Sequence, residues 1–557
     1  MKKIFSIFTA ILLVLGLTGC ENFLDSQNLT KKDTSNYPQT PDDAEQLLTG
    51  VYSMLGRCEP LGFTYFISEL MSDNCFGGGD QADRSCKAMD QFKKSSEDMF
   101  RWSWRARYMG IYRSNFLMEQ LPAIAWDSQE QRDKIEGEAR LLRAFFYFDL
   151  SIMFGEVPLV TTPEAVNIPK SPADETYAFI ASDLLAAIEK IPAVDVPSMP
   201  RSENGRMTRW AAEALLARVW LFYTGYYNKD SLPTADGGAV TRKQVQDYVA
   251  DCIANSGHDL LSDFRNLWPY SHVQDYKYTS ENGLDWAGDG NIEEVLAIKY
   301  STLGTWDVVQ QKCNQICLYY GVRGQSNYAY TFPFGQGWGF GPVNPKLWED
   351  WDDADIRKKG SIIDCTDKSE MRLFLKGGGN ASEETFYVNK KHCPINVYTD
   401  QTKQNVVNYS VPLYGMTETN FQLNNTQDII LIRFSDVLLM GAELGCPDAQ
   451  AYFDRVRNRA GLPSRPATLD NIKEERRFEL AFEGVRYYDR LRWHDERLIT
   501  ENQTDIQVYD RKVPRKKSIT FRPETGGFLS IPLTEIQLSE GMLTQNPGWE
   551  GSDNYLE

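Results

Sequence analysis

Thr40-Pro41-Asp42-Asp43-Ala44-Glu45-Gln46-Leu47-Leu48-Thr49-Gly50-Val51-Tyr52-Ser53-Met54-Leu55 sets the pattern for this chain. A hydroxyl cap, a proline in the first turn and two carboxylates at the positive end of the dipole form a helix start. Ala44, Leu47, Leu48, Val51, Tyr52 and Leu55 then recur at helical spacing, which predicts one apolar stripe. The signal returns down the chain. Trp104, Tyr108, Ile111 and Phe116 predict a second helix ending near Pro122, and a third is expected from about Gln131 to Phe154, before Gly155. Ser171-Pro172-Ala173-Asp174 repeats the start signal ahead of Tyr177, Ile180, Leu184 and Ile188. Further helices are expected from Thr208, with Ala214 and Ala217 at close-contact positions, and over Lys243 to Asn255. Such a succession reads as stacked helical hairpins of tetratricopeptide character, with an irregular period.

From about 257 to 425 the texture changes. Helical periodicity fades and Gly, Asn, Asp, Trp and Tyr increase. Glu294 to Tyr300 alternates like a strand, and Gly335-Gln336-Gly337-Trp338-Gly339-Phe340-Gly341-Pro342 is a glycine-punctuated aromatic loop. A long irregular segment rich in aromatics suits function better than disorder. Helices are expected again at 430–445, 447–460 and 468–493. The end, from Ile531 to Trp549, reads as a tail packed back on the body.

The N-terminus carries its own message. Lys2 and Lys3 precede an apolar run from Ile4 to Leu17, followed by Thr18-Gly19-Cys20. This is the layout of a secretory signal, and a cysteine at the cut resembles a bacterial lipoprotein signal. In such signals the thiol is acylated and cleavage leaves Cys20 first. The run is short for a membrane span, which needs roughly 20 residues. The expected organisation is a signal peptide at 1–19, a lipid-anchored tether at 20–39 and a body at 40–557. Within the body, 40–256 is repeat-like, 257–425 loop-rich, and 426–557 a C-terminal set of helices with a tail.

Composition narrows the partners. A formal net charge of −18 argues against nucleic acid, which needs a basic footprint. It also argues against docking on anionic lipid through the protein surface. Ten cysteines include Cys20, leaving an odd number in an exported chain, where disulfides are permitted. Cys75 and Cys86 bracket a polar loop, so they read either as a local disulfide or as free thiols. Cys313 and Cys317 stand one helical turn apart, with no second pair at zinc spacing.

Several segments resemble the SusD/RagB family of outer-membrane nutrient-binding lipoproteins. They are Glu138-Ala139-Arg140-Leu141-Leu142-Arg143-Ala144-Phe145-Phe146-Tyr147, the stretch Thr208 to Val219, Leu431 to Glu443 leading into Val456-Arg457-Asn458-Arg459-Ala460-Gly461-Leu462, Glu474 to Trp493, and Ile531-Pro532-Leu533-Thr534-Glu535-Ile536 with Gln545-Asn546-Pro547-Gly548-Trp549. They follow the family's order over nearly the whole chain. The resemblance implies a mainly α, SusD-like fold: tetratricopeptide-like hairpins plus a loop-rich region with a few short strands. It implies a lipid anchor in the outer membrane of a Bacteroidetes-type bacterium, at the cell surface. It also implies a glycan ligand, sometimes a peptide, delivered to a SusC-like TonB-dependent β-barrel transporter, with no reaction catalysed and no cofactor. A helical-repeat adaptor holding other proteins is the alternative.

Glu475, Glu479 and Glu483, four apart on one helical face, invite a hydrolase reading. Glycosidases place two carboxyl groups about the sugar bond, and the acid of the pair needs a raised pKa. Abundant arginine does the reverse, so these residues, with Arg476, Arg486 and Arg492, read as an ion-pair lattice between helices. The histidines (His258, His272, His392 and His494) form no His-Glu-x-x-His pattern. Gly77-Gly78-Gly79 and Gly377-Gly378-Gly379 lack the lysine of a phosphate loop. Asp352, Asp353 and Asp355 lack the spacing of a calcium loop and read as a solvated acidic turn. No metal site is expected.

Sugar rings present an apolar face and a hydroxyl rim. A fitting site offers an aromatic plane with Asn, Asp, Gln or Arg around it, because unpaired buried donors are costly. Two segments carry this mixture. One is the loop from Asp73 to Gln91, with Asn74, Asp80, Asp83 and Arg84 as candidates. The other runs from Tyr319 to Trp338, with Arg323, Asn327, Tyr328, Tyr330, Gln336 and Trp338. In family terms the two segments meet at the ligand groove. Trp338 is the leading platform, with Tyr328 and Tyr330 next. Trp104, Trp210 and Trp493 read as core, while Trp268, Trp286 and Trp306 stay open.

Overall fold

The computed structural model describes residues 37–56, 63–164, 166–303, 313–417 and 419–550. The signal peptide, Cys20, most of the tether and Trp306 lie outside them. Thr40 caps the first helix, α1 (Pro41–Tyr52), in a full capping box with Asp43. Four long helices follow: α2 (Arg101–Gln120), α3 (Gln129–Phe154), α4 (Ala173–Lys190) and α5 (Arg209–Tyr226). Thr208 caps α5, and Thr241 closes a second capping box on α6 (Arg242–Asn255). Consecutive helices pack on one another, α2 on α3, α3 on α4, α4 on α5 and α5 on α6. The contacts are close where residues are small. A Cβ on Gly110 would meet the Phe146 ring at 2.4 Å, and Ala211, Ala212, Ala214 and Ala217 of α5 are buried.

No helix among the described residues is long and apolar enough to cross a membrane. The strands are short and antiparallel. The loop-rich part has a smaller core of its own, with Phe264, Trp268, Tyr270, Phe334, Ile363, Cys393 and Ile395 buried together. Strand β1 (Glu294–Ile298) pairs with β2 (Ile429–Arg433) and ties this part to the helices. Near the C-terminus, β3 (Ile506–Asp510) and β4 (Val513–Lys517) form a hairpin.

Several expectations need correction. Residues 430–433 belong to β2, and the helix starts after them as α7 (Phe434–Leu444), followed by α8 (Ala449–Arg459). Five consecutive buried residues explain the misreading, since a continuous apolar run carries no period. The helix expected at 468–493 is two, α9 (Leu469–Glu479) and α10 (Arg486–Arg492). Phe482 and Gly484 take φ of 67° and 75° between them, a backbone region closed to a right-handed helix. Gly484 is held there because a Cβ would lie 2.6 Å from Tyr65 Cα. Cys75 and Cys86 are free, buried thiols. Their loop is fastened by backbone hydrogen bonds to carboxylates instead, described below. Asp355 is buried: it caps a short helix, accepts from Trp351 Nε1 at 2.9 Å and pairs with Arg357. Asp352 and Asp353 of that turn are exposed as expected, Asp353 beside Lys358. Trp104 and Trp210 are core, as is Trp268. Trp493 is half-buried, donating to Glu443 Oε1 at 2.8 Å.

The predicted ion-pair lattice lies at the centre of the C-terminal half. Five carboxylates (Glu293, Asp355, Glu475, Glu479, Glu483) meet five cations (Arg357, Lys391, Arg433, Arg457, Arg459) in one connected network. All are buried or nearly so, which is tolerable because the charges balance and nearly every lone pair is used. Burial pushes the Glu479 carboxyl up, but Arg459, Arg433 and Arg357 outweigh it and hold it well below the usual range. A residue so held cannot serve as a general acid at neutral pH. Arg476, Arg486 and Arg492 serve neighbouring carboxylates: Asp436 and Asp489, Asp73, and Glu443 with Asp489, respectively.

Candidate ligand site

The glycine-punctuated segment 335–342 lies between the stretch 318–322 and the loop 76–79 and bonds to both. On one side, Gly337 N–H donates to Val322 O at 2.9 Å, Trp338 N–H to Leu318 O at 2.8 Å and Phe340 N–H to Tyr319 O at 2.8 Å. On the other, Gly79 N–H donates to Gly339 O at 2.9 Å and Phe76 N–H to Pro342 O at 2.9 Å. The approach demands glycine. A Cβ on Gly337 would sit 2.3 Å from Gly321 Cα. The close backbone pairing leaves Gln336 and Trp338 partly exposed, while Phe340 is buried.

Trp338 is half-buried, its ring resting on Tyr319 at 5.4 Å with an interplanar angle of 30°. Arg323 organises the polar side. Its guanidinium donates to Asp80 Oδ2 at 2.6 Å, to Trp338 O at 3.0 Å and to Gly379 O at 3.0 Å, with Asp83 Oδ2 at 3.7 Å. Asp80 Oδ1 also accepts from Ala82 N–H and Asp83 Oδ2 from Asp80 N–H, each at 2.7 Å. Partial burial pushes the Asp83 carboxyl up, with the nearby Asp80 charge adding to the shift and Arg323 opposing it. Arg323 thus links Asp80 and Asp83 of one segment to the Trp338 backbone of another. Arg84, exposed, opens the short helix that follows Asp83.

The other candidates have partners of their own. Gln325 links Arg323 to the next turn, its Nε2 donating to Arg323 O at 2.9 Å. Tyr328 is half-buried on the smaller core, its hydroxyl 3.4 Å from Val322 O. Tyr330 has the Arg372 guanidinium over its ring at 5.0 Å. Asn327 caps its own turn by accepting from Ala329 N–H at 2.8 Å. Gln336, half-exposed, pairs with Val322 beside Trp338. Asn74 is the exception: it is fully buried, donating to Glu69 Oε2 at 3.1 Å, and supports the loop from beneath. Asp73 beside it is held by Arg486, Arg490 and Asn502.

Sequence reasoning missed Gly377–Gly379 and the β3–β4 hairpin as parts of this surface. Gly378 and Gly324 touch so closely that a Cβ on Gly324 would lie 2.0 Å from Gly378 C. The second glycine triplet was the available signal. Arg511, at the tip of the hairpin, donates to Gln81 Oε1.

A group that could hold a metal lies elsewhere. Asp289, Glu294 and Asp428 bring carboxylate oxygens within 4.8 Å of one another. Lys299 already stands among them, donating to Glu294 Oε2 at 2.7 Å and to Asp428. Burial pushes Asp289 up to about 7. The ammonium and the raised carboxyl do locally what a cation would do.

A stack of helical hairpins carrying a ligand surface of loops is the architecture of SusD-like proteins. Family descriptions match two separate parts of the chain: "Starch-binding associating with outer membrane" over residues 22–221 and the SusD family over 314–549. The chain belongs to the SusD/RagB family. A laminarin binding SusD-like protein of solved structure superposes with a TM-score of 0.72 at 26% identity, covering 92% of this chain and 100% of that one. Surface glycan-binding protein A from Bacteroides fluxus shares the fold, with a TM-score of 0.72 at 23% identity over 92% of this chain and all of its own. A SusD-like protein from Bacteroides ovatus is 26% identical over 70% of this chain, the match spanning 65% of that protein. SusD-like protein P2 from Formosa agariphila is 24% identical over 97% of this chain and 99% of its own length.

Proposed function

We propose that this protein is a cell-surface lipoprotein that binds a glycan and passes it to a SusC-like TonB-dependent outer-membrane transporter, without catalysing a reaction. One observation carries the reading: Trp338, half-buried, sits on the backbone whose carbonyl accepts from Arg323, and Arg323 pairs with Asp80 and lies 3.7 Å from Asp83. The indole offers a plane for a sugar face, and the charged groups offer donors and acceptors for its hydroxyls. Kinship with a laminarin binding protein supports the ligand class. Residues 1–19 are the signal peptide, 20–39 the tether acylated at Cys20, and 40–557 the body, in this reading. Gln336 and Arg84 flank the ligand, and Tyr328, Tyr330 and Asn327 extend the surface.

Calorimetry against a panel of glycans, β-glucans included, tests the function. Trp338→Ala should weaken the bound glycan at least tenfold, equivalent to about 1.4 kcal/mol. Unchanged affinity would remove the site. Binding of a protein partner with no sugar affinity would favour an adaptor, and release of reducing ends would establish a hydrolase. Labelled palmitate should enter the protein through Cys20, and a large β-barrel should co-purify with it.

A further inference from the structure

The loop that carries Asp80 and Asp83 is fastened from below by groups that no sugar would touch. Gly77 N–H donates to Asp90 Oδ2 at 2.7 Å, and Gly78 N–H to Glu383 Oε2 at 3.1 Å. Both carboxylates are buried, and one ammonium, Lys517 of β4, reaches both at 2.5 Å. Neither glycine tolerates displacement. A Cβ on Gly77 would lie 2.6 Å from the Cys86 carbonyl carbon, and one on Gly78 2.5 Å from Gly339 O. The loop is thus wedged between the glycine-rich segment under Trp338 and the Asp90–Lys517–Glu383 triad. The same hairpin holds the facing edge: Arg511 N–H donates to Ala381 O at 2.9 Å, and Tyr509 exchanges backbone hydrogen bonds with Glu384.

We propose that Lys517, clamped between Asp90 and Glu383, is a positioning residue for the ligand site, so that the C-terminal hairpin sets the placement of Gly77–Asp83 against Arg323 and Trp338. The inference rests on the glycan-binding reading for its affinity arm and on loop geometry alone for its exchange arm. Two buried carboxylates side by side repel unless a cation or a proton stands between them. The groups facing the pair are Lys517 and Arg515 from β4, the second bonding Glu383 at 3.2 Å and also pairing with Asp510, together with the Cys86 thiol, which itself also feels Asp83 and Lys87. Burial, with Glu383 as neighbour, pushes Asp90 up to about 7 against the pull of Lys517. When the ammonium is removed, a proton shared by the two carboxylates can replace it at low pH but not at high pH.

Lys517→Met tests this. Its glycan affinity at pH 9 should fall at least tenfold below its own value at pH 6, with a much smaller change in the wild type. Amide exchange at Gly77–Asp83, corrected for intrinsic pH dependence, should accelerate over the same interval. The double variant Asp90→Asn with Lys517→Met replaces the ionic clamp by an amide that can bond both Gly77 N–H and Glu383, and should be flat with pH in both measurements. A pH profile for Lys517→Met that parallels the wild type in exchange would overturn the proposal. If the wild type bound no glycan, the proposed function would fall, and exchange alone would decide the clamp. If Lys517→Met did not fold, the double variant, folding and flat, would still support it; a double variant as pH-sensitive as expected of the single one would refute it.

Discussion

Replacing Glu479 by glutamine keeps the shape of the side chain and removes one buried charge. In the native protein that carboxylate receives Arg357 Nη1 at 2.7 Å and also the guanidiniums of Arg433 and Arg459, all at essentially zero exposure. The network is neutral as it stands, with its five acids matched by five bases. Glu479→Gln leaves one positive charge in excess with no water to receive it, and turns an amide NH2 toward Arg357 or toward Arg433 and Arg459, whichever oxygen it replaces. Breaking a buried pair from one side costs about 3–5 kcal/mol, whereas an exposed helix pair such as Lys243–Asp247 belongs to a class worth about 0.3–0.5 kcal/mol. Urea unfolding followed by circular dichroism should place the variant in the first range. The pH dependence supplies a second check. Because the folded-state pKa is depressed, the stabilisation is present above the unfolded carboxylate value of about 4.3 and is lost as pH falls below it. Glu479→Gln should therefore be less acid-sensitive than the wild type while less stable at neutral pH. A loss under about 1 kcal/mol at pH 7, or an unchanged acid limb, would refute the view that this lattice holds the C-terminal half together.

His392 is fully buried, with Nε2 3.0 Å from the Tyr65 hydroxyl, and burial pushes its pKa down to about 3. The unfolded chain takes up that proton first, so its contribution is complete above about 6.5 and drains as pH falls. His392→Gln should flatten the urea midpoint between pH 6 and pH 4 by up to about 1.4 kcal/mol per pH unit; an identical slope would contradict the assignment. Gly324→Ala meets both a positive φ of 65° and a backbone atom at 2.0 Å, whereas Gly415→Ala meets a φ of 63° and open space. The first should cost at least about 2 kcal/mol and the second about 1 kcal/mol in the same unfolding assay. Equal losses would show that the Gly324–Gly378 approach does not matter.

The helical hairpins were legible because their ends are written locally. Thr40, Thr208 and Thr241 each accept a hydrogen bond from a backbone N–H two or three residues on, so a window of a few residues suffices to see them. The break between α9 and α10 was not visible in that way. Leu480 to Val485 carries apolar residues at helical spacing, and the positive φ at Phe482 and Gly484 comes from what packs there, with Tyr65 pressed on Gly484. The same limit governs the site. Asp80, Asp83, Arg323 and Trp338 announced themselves as residue types suited to a sugar, and the structure gathers them. Asn74 has the same chemistry on paper but points inward to Glu69, a direction that composition does not encode. Lys517 and Glu383 are 134 positions apart, so their joint hold on a loop near residue 78 has no local sign in the chain.

The central glycine-rich segment, bonded on both flanks, has a consequence for how new specificities could arise. Its neighbours contribute backbone hydrogen bonds on both flanks. Exchanging one loop alone would break pairing with the other two and disturb the hairpin beneath them. A transplanted preference would have to travel as an ensemble of four distant stretches. Single replacements at outward-facing positions, which leave the pairing intact, are the economical route to retuning what the surface holds.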